Sequence, residues 1–136
     1  MKELTIAANI ENIAAVTDFV NAELEAVDCP MKAQWQIDVA IDELFSNIAY
    51  YAYGEQQGMA TVRVEVQPDL RTATISFIDA GIPFNPLTQK EPLTGLGVKE
   101  RKAGGFGISI VKKCMDFVRY EYQNGCNVTT IMKTFQ

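Results

Sequence analysis

A carboxylate and a carboxamide stand four residues apart in the run IDELFSNIAYYAYG, residues 41–54: Glu43 and Asn47. The apolar spacing of this run predicts a helix, which places both side chains on one face a turn apart while Leu44, Phe45 and Ile48 turn toward a core. Two readings fit such a pair. It is either a solvated stripe on an amphipathic helix, or a site in which Glu43 takes a proton from a nucleophile while the Asn47 oxygen ligates a hard cation such as Mg²⁺. Two later stretches carry residues suited to related chemistry. DAGIPF, residues 79–84, delivers Asp79 at the end of a predicted strand, and GGFG, residues 104–107, opens a helix with Gly104, Gly105 and Gly107 around Phe106. Glycines at a helix start let backbone N–H groups approach a phosphate that the helix dipole also favours; they equally serve as a flexible lead into a helix. The chain contains no histidine. That removes a His-based triad, a histidine zinc site and a self-phosphorylating histidine together, leaving carboxylates, amides, lysine and arginine to do any chemistry.

The elements that must position these residues follow from composition and period. At 136 residues, 48% hydrophobic and 21% charged, the chain fits one globular domain, residues 1–136, with a substantial core. Seventeen acidic against twelve basic residues give a net charge of −5, which argues against a nucleic-acid partner. No apolar run approaches the ~20 residues of a membrane span, and no basic region with an apolar signal core opens the chain; a cytoplasmic protein without membrane contact is expected. Cys29, Cys114 and Cys126 match neither a disulfide framework nor a metal-ligand spacing and are read as reduced fillers.

Leu4, Ile6 and Ala8 alternate as a first strand would. Asn9 is placed to cap a helix whose apolar face is Ile13, Val16, Phe19, Val20 and Leu24, ended by Asp28-Cys29-Pro30. A second helix from Pro30 or Met31 has an expected core face of Trp35, Ile37, Val39, Ile41, Leu44, Phe45 and Ile48, and Gly54 closes it. A hairpin follows, Val62, Val64 and Val66 on one strand and Ala73, Ile75, Phe77 and Asp79 on the other. Residues 80–104, rich in proline, glycine and charge, read as a long loop. A helix from Ile108 to Asp116, with Ile108, Val111 and Met115 inward, precedes two strands, 117–123 and 127–135, joined by the turn signal Asn124-Gly125.

This β-α-α-β-β-loop-α-β-β order, with its three motifs in place, resembles the GHKL (Bergerat-fold) ATPases, the superfamily of gyrase, the histidine-kinase ATP-binding domain and MutL. It is closest to the stand-alone branch of anti-sigma factor serine/threonine kinases. Glu43 and Asn47 match the family's E-x-x-x-N box, Asp79 and Gly81 its D-x-G box, and Pro83, Phe84, Asn85 and Pro86 the branch's P-F-[DN]-P. Gly104 to Val111 match G-G-[FM]-G-[IL]-x-[IL]-[VM]; Asp116, Gly125 and Asn127 match its tail. Tyr51 stands where many branch members carry histidine, and Pro83 where the longer box has a second glycine.

The resemblance implies an α+β, two-layer sandwich: a mixed, mostly antiparallel sheet covered on one face by helices, with an ATP lid at about 85–103. It implies ATP and Mg²⁺ as cofactors. Asp79 would accept from the adenine amino group, beside Gly81 and Phe84, and Asn47 would hold Mg²⁺. Gly104, Gly105, Phe106 and Gly107 would form the phosphate loop, and Arg101 or Lys102 would reach the γ-phosphate; two solvated loop cations remain the alternative. Glu43 would be the base toward a serine or threonine hydroxyl. The implied function is an anti-sigma factor kinase that phosphorylates a small antagonist protein and sequesters a sigma factor, with a homodimer compatible. The alternative is a nucleotide-dependent binding module that transfers no phosphate. A histidine-kinase fragment fits less well, since the chain supplies neither a histidine nor a dimerisation helix pair.

Overall fold

Period-two alternation builds the sheet, and the computed structural model, which describes residues 1–88 and 107–135, arranges it as five strands. They are β1 (Lys2–Ala7), β2 (Met59–Gln67), β3 (Thr72–Asp79), β4 (Phe117–Gln123) and β5 (Cys126–Thr134) in the order β1-β2-β3-β5-β4. The expected mostly antiparallel sheet is met, and all four pairings among the described residues are antiparallel. Asn124 and Gly125 both take positive φ, 55° and 77°, the backbone that a two-residue hairpin between β4 and β5 requires.

One face of the sheet is covered by α1 (Ile13–Glu25), α2 (Met31–Asn47) and α3 (Gly107–Cys114). Between the layers lie Val16, Val20 and Leu24 of α1, Ile37, Ile41 and Phe45 of α2, Val111 of α3, and Val62, Ile75, Phe77 and Ile131 of the sheet, none more than 1% exposed. Each such side chain contributes ~1.5–3 kcal/mol by leaving water. The opposite sheet face carries polar pairs instead: the hydroxyls of Thr5 and Thr61 meet at 2.9 Å, those of Ser76 and Thr130 at 3.1 Å. Among the described residues no helix is long and apolar enough to cross a membrane.

Three local expectations change. Trp35 is 63% exposed and Val39 only half-buried, while Ala33 and Ala40 join the core. Positions 35, 37, 39 and 41 repeat every two residues, and a helix face cannot hold that period. Asn9 precedes a short 3₁₀ turn, Ile10–Asn12, and makes no side-chain cap bond; Asn12, at the N-cap of α1, makes none either, its Nδ2 instead donating back to the Ala7 carbonyl at 2.8 Å. The second helix stops being α-helical at Asn47 and continues as one π-helical turn, Ile48–Ala52, before Gly54 closes the segment with φ of 61°.

Candidate active site

α2 ends on the asparagine that the sequence singles out, and that end abuts the open end of β3 and β5. Because β3 alternates, Ala73, Ile75 and Phe77 turn to the core and the same face delivers Asp79, 6% exposed. Its sheet neighbours are Ala60 on β2 and Asn127 on β5. Between these ends opens a cleft of about 360 Å³, counted out to its mouth, walled by Leu44, Asn47, Ile48, Ala52, Phe77, Asp79, Phe84, Pro86, Asn127 and Thr129. Its plan is that of small-molecule sites, an apolar pocket with a few converging polar groups.

Asp79 is held by two hydrogen bonds to one oxygen: Gly81 N donates to Oδ1 at 2.9 Å, and Asn127 Nδ2 donates to the same atom at 2.9 Å. Burial pushes its carboxyl above the ordinary aspartate value, and these two donors partly offset that rise. Gly81 is required by space. A Cβ there would lie 2.1 Å from the Ala52 carbonyl oxygen and 2.5 Å from its carbon, against the backbone that receives Ile82 N at 2.9 Å. Phe84 stacks on Tyr51, ring centroids 5.7 Å apart and planes 24° apart. Tyr53 braces the same corner, its hydroxyl donating to the Met59 carbonyl at 2.6 Å and accepting from Ala80 N at 2.9 Å.

Glu43 has different surroundings. It is half-buried, it is not among the residues of the cleft wall, and it lies under the first residue of α3: a Cβ on Gly107 would fall 1.6 Å from Glu43 Cδ and 1.8 Å from Oε2. Burial, and secondarily the charge of Asp42, raise its pKa. Oε2 is buried with no hydrogen-bond partner among the described residues, an arrangement costly enough to call for a function.

The structure therefore brings Asn47, Asp79 and Phe84 onto one cleft, with Gly81 behind Asp79, and sets Gly107 on Glu43. Arg101, Lys102, Gly104, Gly105, Phe106 and most of the expected lid at 85–103 lie outside the described residues. Motif reading left Asn127 as part of a matching tail. Its signal is alternation on β5, where Asn127 shares the inward face with Thr129 and Ile131, and a buried amide in that row needs partners. Tyr53, placed only inside a helix by period, had no comparable signal.

The residues fit an adenine nucleotide and Mg²⁺. The apolar wall of Leu44, Ile48, Phe77 and Phe84 suits a flat base, and one buried carboxylate offers it an acceptor. The Asn47 oxygen is a hard donor of the kind Mg²⁺ accepts.

Residues 6–133 match the histidine kinase-like ATPase domain. The chain belongs to that family, and so to the class of GHKL-type ATPase domains. Over 97 residues it is 27% identical to a serine-protein kinase RsbW of Listeria innocua, a stretch covering 68% of this chain and 60% of that relative. The match thus spans less than two thirds of the curated relative's length. Among solved structures, the RsbU and RsbW domains of Rv1364c from Mycobacterium tuberculosis superpose with a TM-score of 0.65 at 15% identity, over 99% of this chain and 33% of that one. The Acinetobacter baumannii histidine kinase AdeS gives 0.50 at 10% identity, over 100% and 70%. At these identities the structural likeness speaks for the fold alone.

Proposed function

We propose that the protein is an ATP-dependent serine/threonine protein kinase acting as an anti-sigma factor, which phosphorylates a small antagonist protein and sequesters a sigma factor. The observation that carries the kinase half is the buried Oε2 of Glu43, which has no hydrogen-bond partner among the described residues, beside the raised pKa of its carboxyl. A module that only binds nucleotide has no need of a buried carboxylate at this position, whereas a base gains proton affinity from that burial. The likeness to a serine-protein kinase supports the choice of acceptor. In the reaction, the hydroxyl oxygen of the antagonist bonds to the γ-phosphorus of ATP, the bond from that phosphorus to the β-bridging oxygen breaks, and ADP leaves. Glu43 takes the hydroxyl proton. Asp79 holds the base, Asn47 would hold Mg²⁺, and Gly107 with the residues before it would receive the phosphates. Mg²⁺, when bound, would offset phosphate charge.

A second reading is a nucleotide-dependent binding module without transfer, and one observation favours it: Glu43 stands under Gly107 and is not part of the cleft wall. Incubation with labelled ATP, Mg²⁺ and candidate antagonist proteins separates the two. Phosphorylated antagonist, reduced ~100-fold or more by Glu43→Gln with nucleotide affinity unchanged, is expected. A partner that binds tightly and is never phosphorylated establishes the module instead. The transfer rate should also fall on acidification at a pH above the ordinary glutamate value, because Glu43 must be ionised to accept the proton.

A further inference from the structure

Asn127 is 4% exposed and lies on the cleft wall, yet nothing in it is left for a ligand. Its Nδ2 donates to Asp79 Oδ1 at 2.9 Å and to the Ile82 carbonyl at 2.8 Å. Its Oδ1 accepts from Phe84 N at 3.0 Å and from the Tyr120 hydroxyl. An asparagine amide has two N–H donors and two good acceptor directions, so all four are used. The partners also fix which end is oxygen: a carboxylate and a carbonyl can only receive, and a backbone N–H can only give. They come from three places, the end of β3, the segment Ile82–Phe84 and β4.

We infer that Asn127 is a positioning residue for base recognition, one that holds the Asp79 carboxylate and the path of Ile82–Phe84 as a single unit while making no contact with the nucleotide itself. This rests on the reading of the cleft as the nucleotide's base pocket. Few residues can do this work. Aspartate would set a second carboxylate against Asp79, and serine or threonine offers one donor where two are needed. Phe84, whose N–H is held here, is also the ring that stacks on Tyr51, so the acceptor for the base and the aromatic wall of the cleft are tied at one atom pair.

The bond to Asp79 favours its ionised form, against the burial that disfavours it. Among the described residues the ionisable groups facing Asp79 are Tyr53, from the segment after α2, and Tyr120, from β4. Both phenols are raised, first of all by burial, and stay neutral while a carboxylate titrates. To the same cleft α2 presents Leu44 and Asn47, and β5 presents Thr129; none of these titrates.

The test is the titration of Asp79, followed by carboxyl ¹³C NMR without nucleotide, in the parent and in Asn127→Leu. The variant's midpoint is expected to move upward, and its ADP affinity at neutral pH to fall ~10-fold, the value of one hydrogen bond to a charged group. An unmoved midpoint, with affinity lowered equally at every pH, would mean a merely structural residue and overturn the inference. Should Asn127→Leu not fold, the labelled parent decides. Its Asn127 side-chain amide signals should shift with the Asp79 midpoint and show no cross-peak to the base protons of bound ADP; a cross-peak, or no response to that titration, overturns it. Failure of the parent to bind ADP or ATP at all sinks the nucleotide reading separately, since the nucleotide-free titration still reports whether Asn127 holds Asp79.

Discussion

Glu43 and Asn47 sit one helical turn apart and meet opposite surroundings, the first under Gly107, the second on the cleft wall. Their variants should therefore fail differently. Asn47→Ala is expected to weaken nucleotide binding chiefly when Mg²⁺ is present, because it removes a hard oxygen donor; calorimetric titration of ATP with and without Mg²⁺ measures this, and an equal loss in both would remove the metal role. Asp79→Ala should lower affinity for ATP and ADP alike by about 1–3 kcal/mol, ten-fold or more, since the base is left facing a site that offers it no acceptor. The motif spacing made these residues legible because Asn47 and Asp79 stand at the ends of strongly periodic elements, and Glu43 one turn before such an end, where a polar side chain interrupts an apolar row. Asn127 and Tyr53 were less legible. Their roles depend on atoms from three different segments meeting at one point, which no single-segment period encodes.

Gly81 and Gly107 mark the two places where elements approach too closely for a side chain, and they differ in what stands opposite. At Gly81 the obstacle is the backbone of Ala52; at Gly107 it is the flexible carboxylate end of Glu43. Gly81→Ala should thus cost about 1–3 kcal/mol of stability, because the segment after α2 must shift. Gly107→Ala should leave stability within ~1 kcal/mol, since alanine is the better helix former and Glu43 can swing aside, while transfer to the antagonist falls sharply with the base displaced. Denaturant unfolding beside the phosphorylation assay checks the pair; a Gly107→Ala protein with unaltered transfer would show that the placement of Glu43 is immaterial. The order of strands and helices was predictable from alternation and helical spacing, the ends of the first two helices less so, since a 3₁₀ turn opens one and a π-helical turn closes the other. The core face of α2 was not, because Trp35 and Val39 carry apolar character without the geometry to use it.

For the domain taken together, an adenine nucleotide should act as a stabilising ligand: at 100 to 1,000 times its dissociation constant, ATP should add roughly 2.7–4.1 kcal/mol by mass action. Thermal melting with ATP, ADP and GTP measures it, and an equal shift with GTP would contradict a pocket built around Asp79. Acidity should act in the same direction over a limited range. Asp38, Glu43 and Asp79 all have raised pKa values, with burial the first cause in each. The folded state takes up these protons before the unfolded chain does, so their contribution is complete below ordinary carboxylate values and is lost as pH rises through the higher folded values. Asp38→Asn, at a half-buried site whose Oδ1 has no hydrogen-bond partner among the described residues, should then gain stability over the parent at neutral pH, with the gain shrinking on acidification; a gain independent of pH would exclude ionisation as its cause. The π-helical turn at Ile48–Ala52 bears on sequence length. Such a turn holds one residue more than α-helical pitch needs, and the surplus is what brings Tyr51 onto Phe84 and the Tyr53 hydroxyl onto Ala80. Loss of a single residue there would keep every motif intact and rotate both tyrosines by ~100°, so in this chain a one-residue deletion just after the asparagine should disturb the cleft more than many substitutions would.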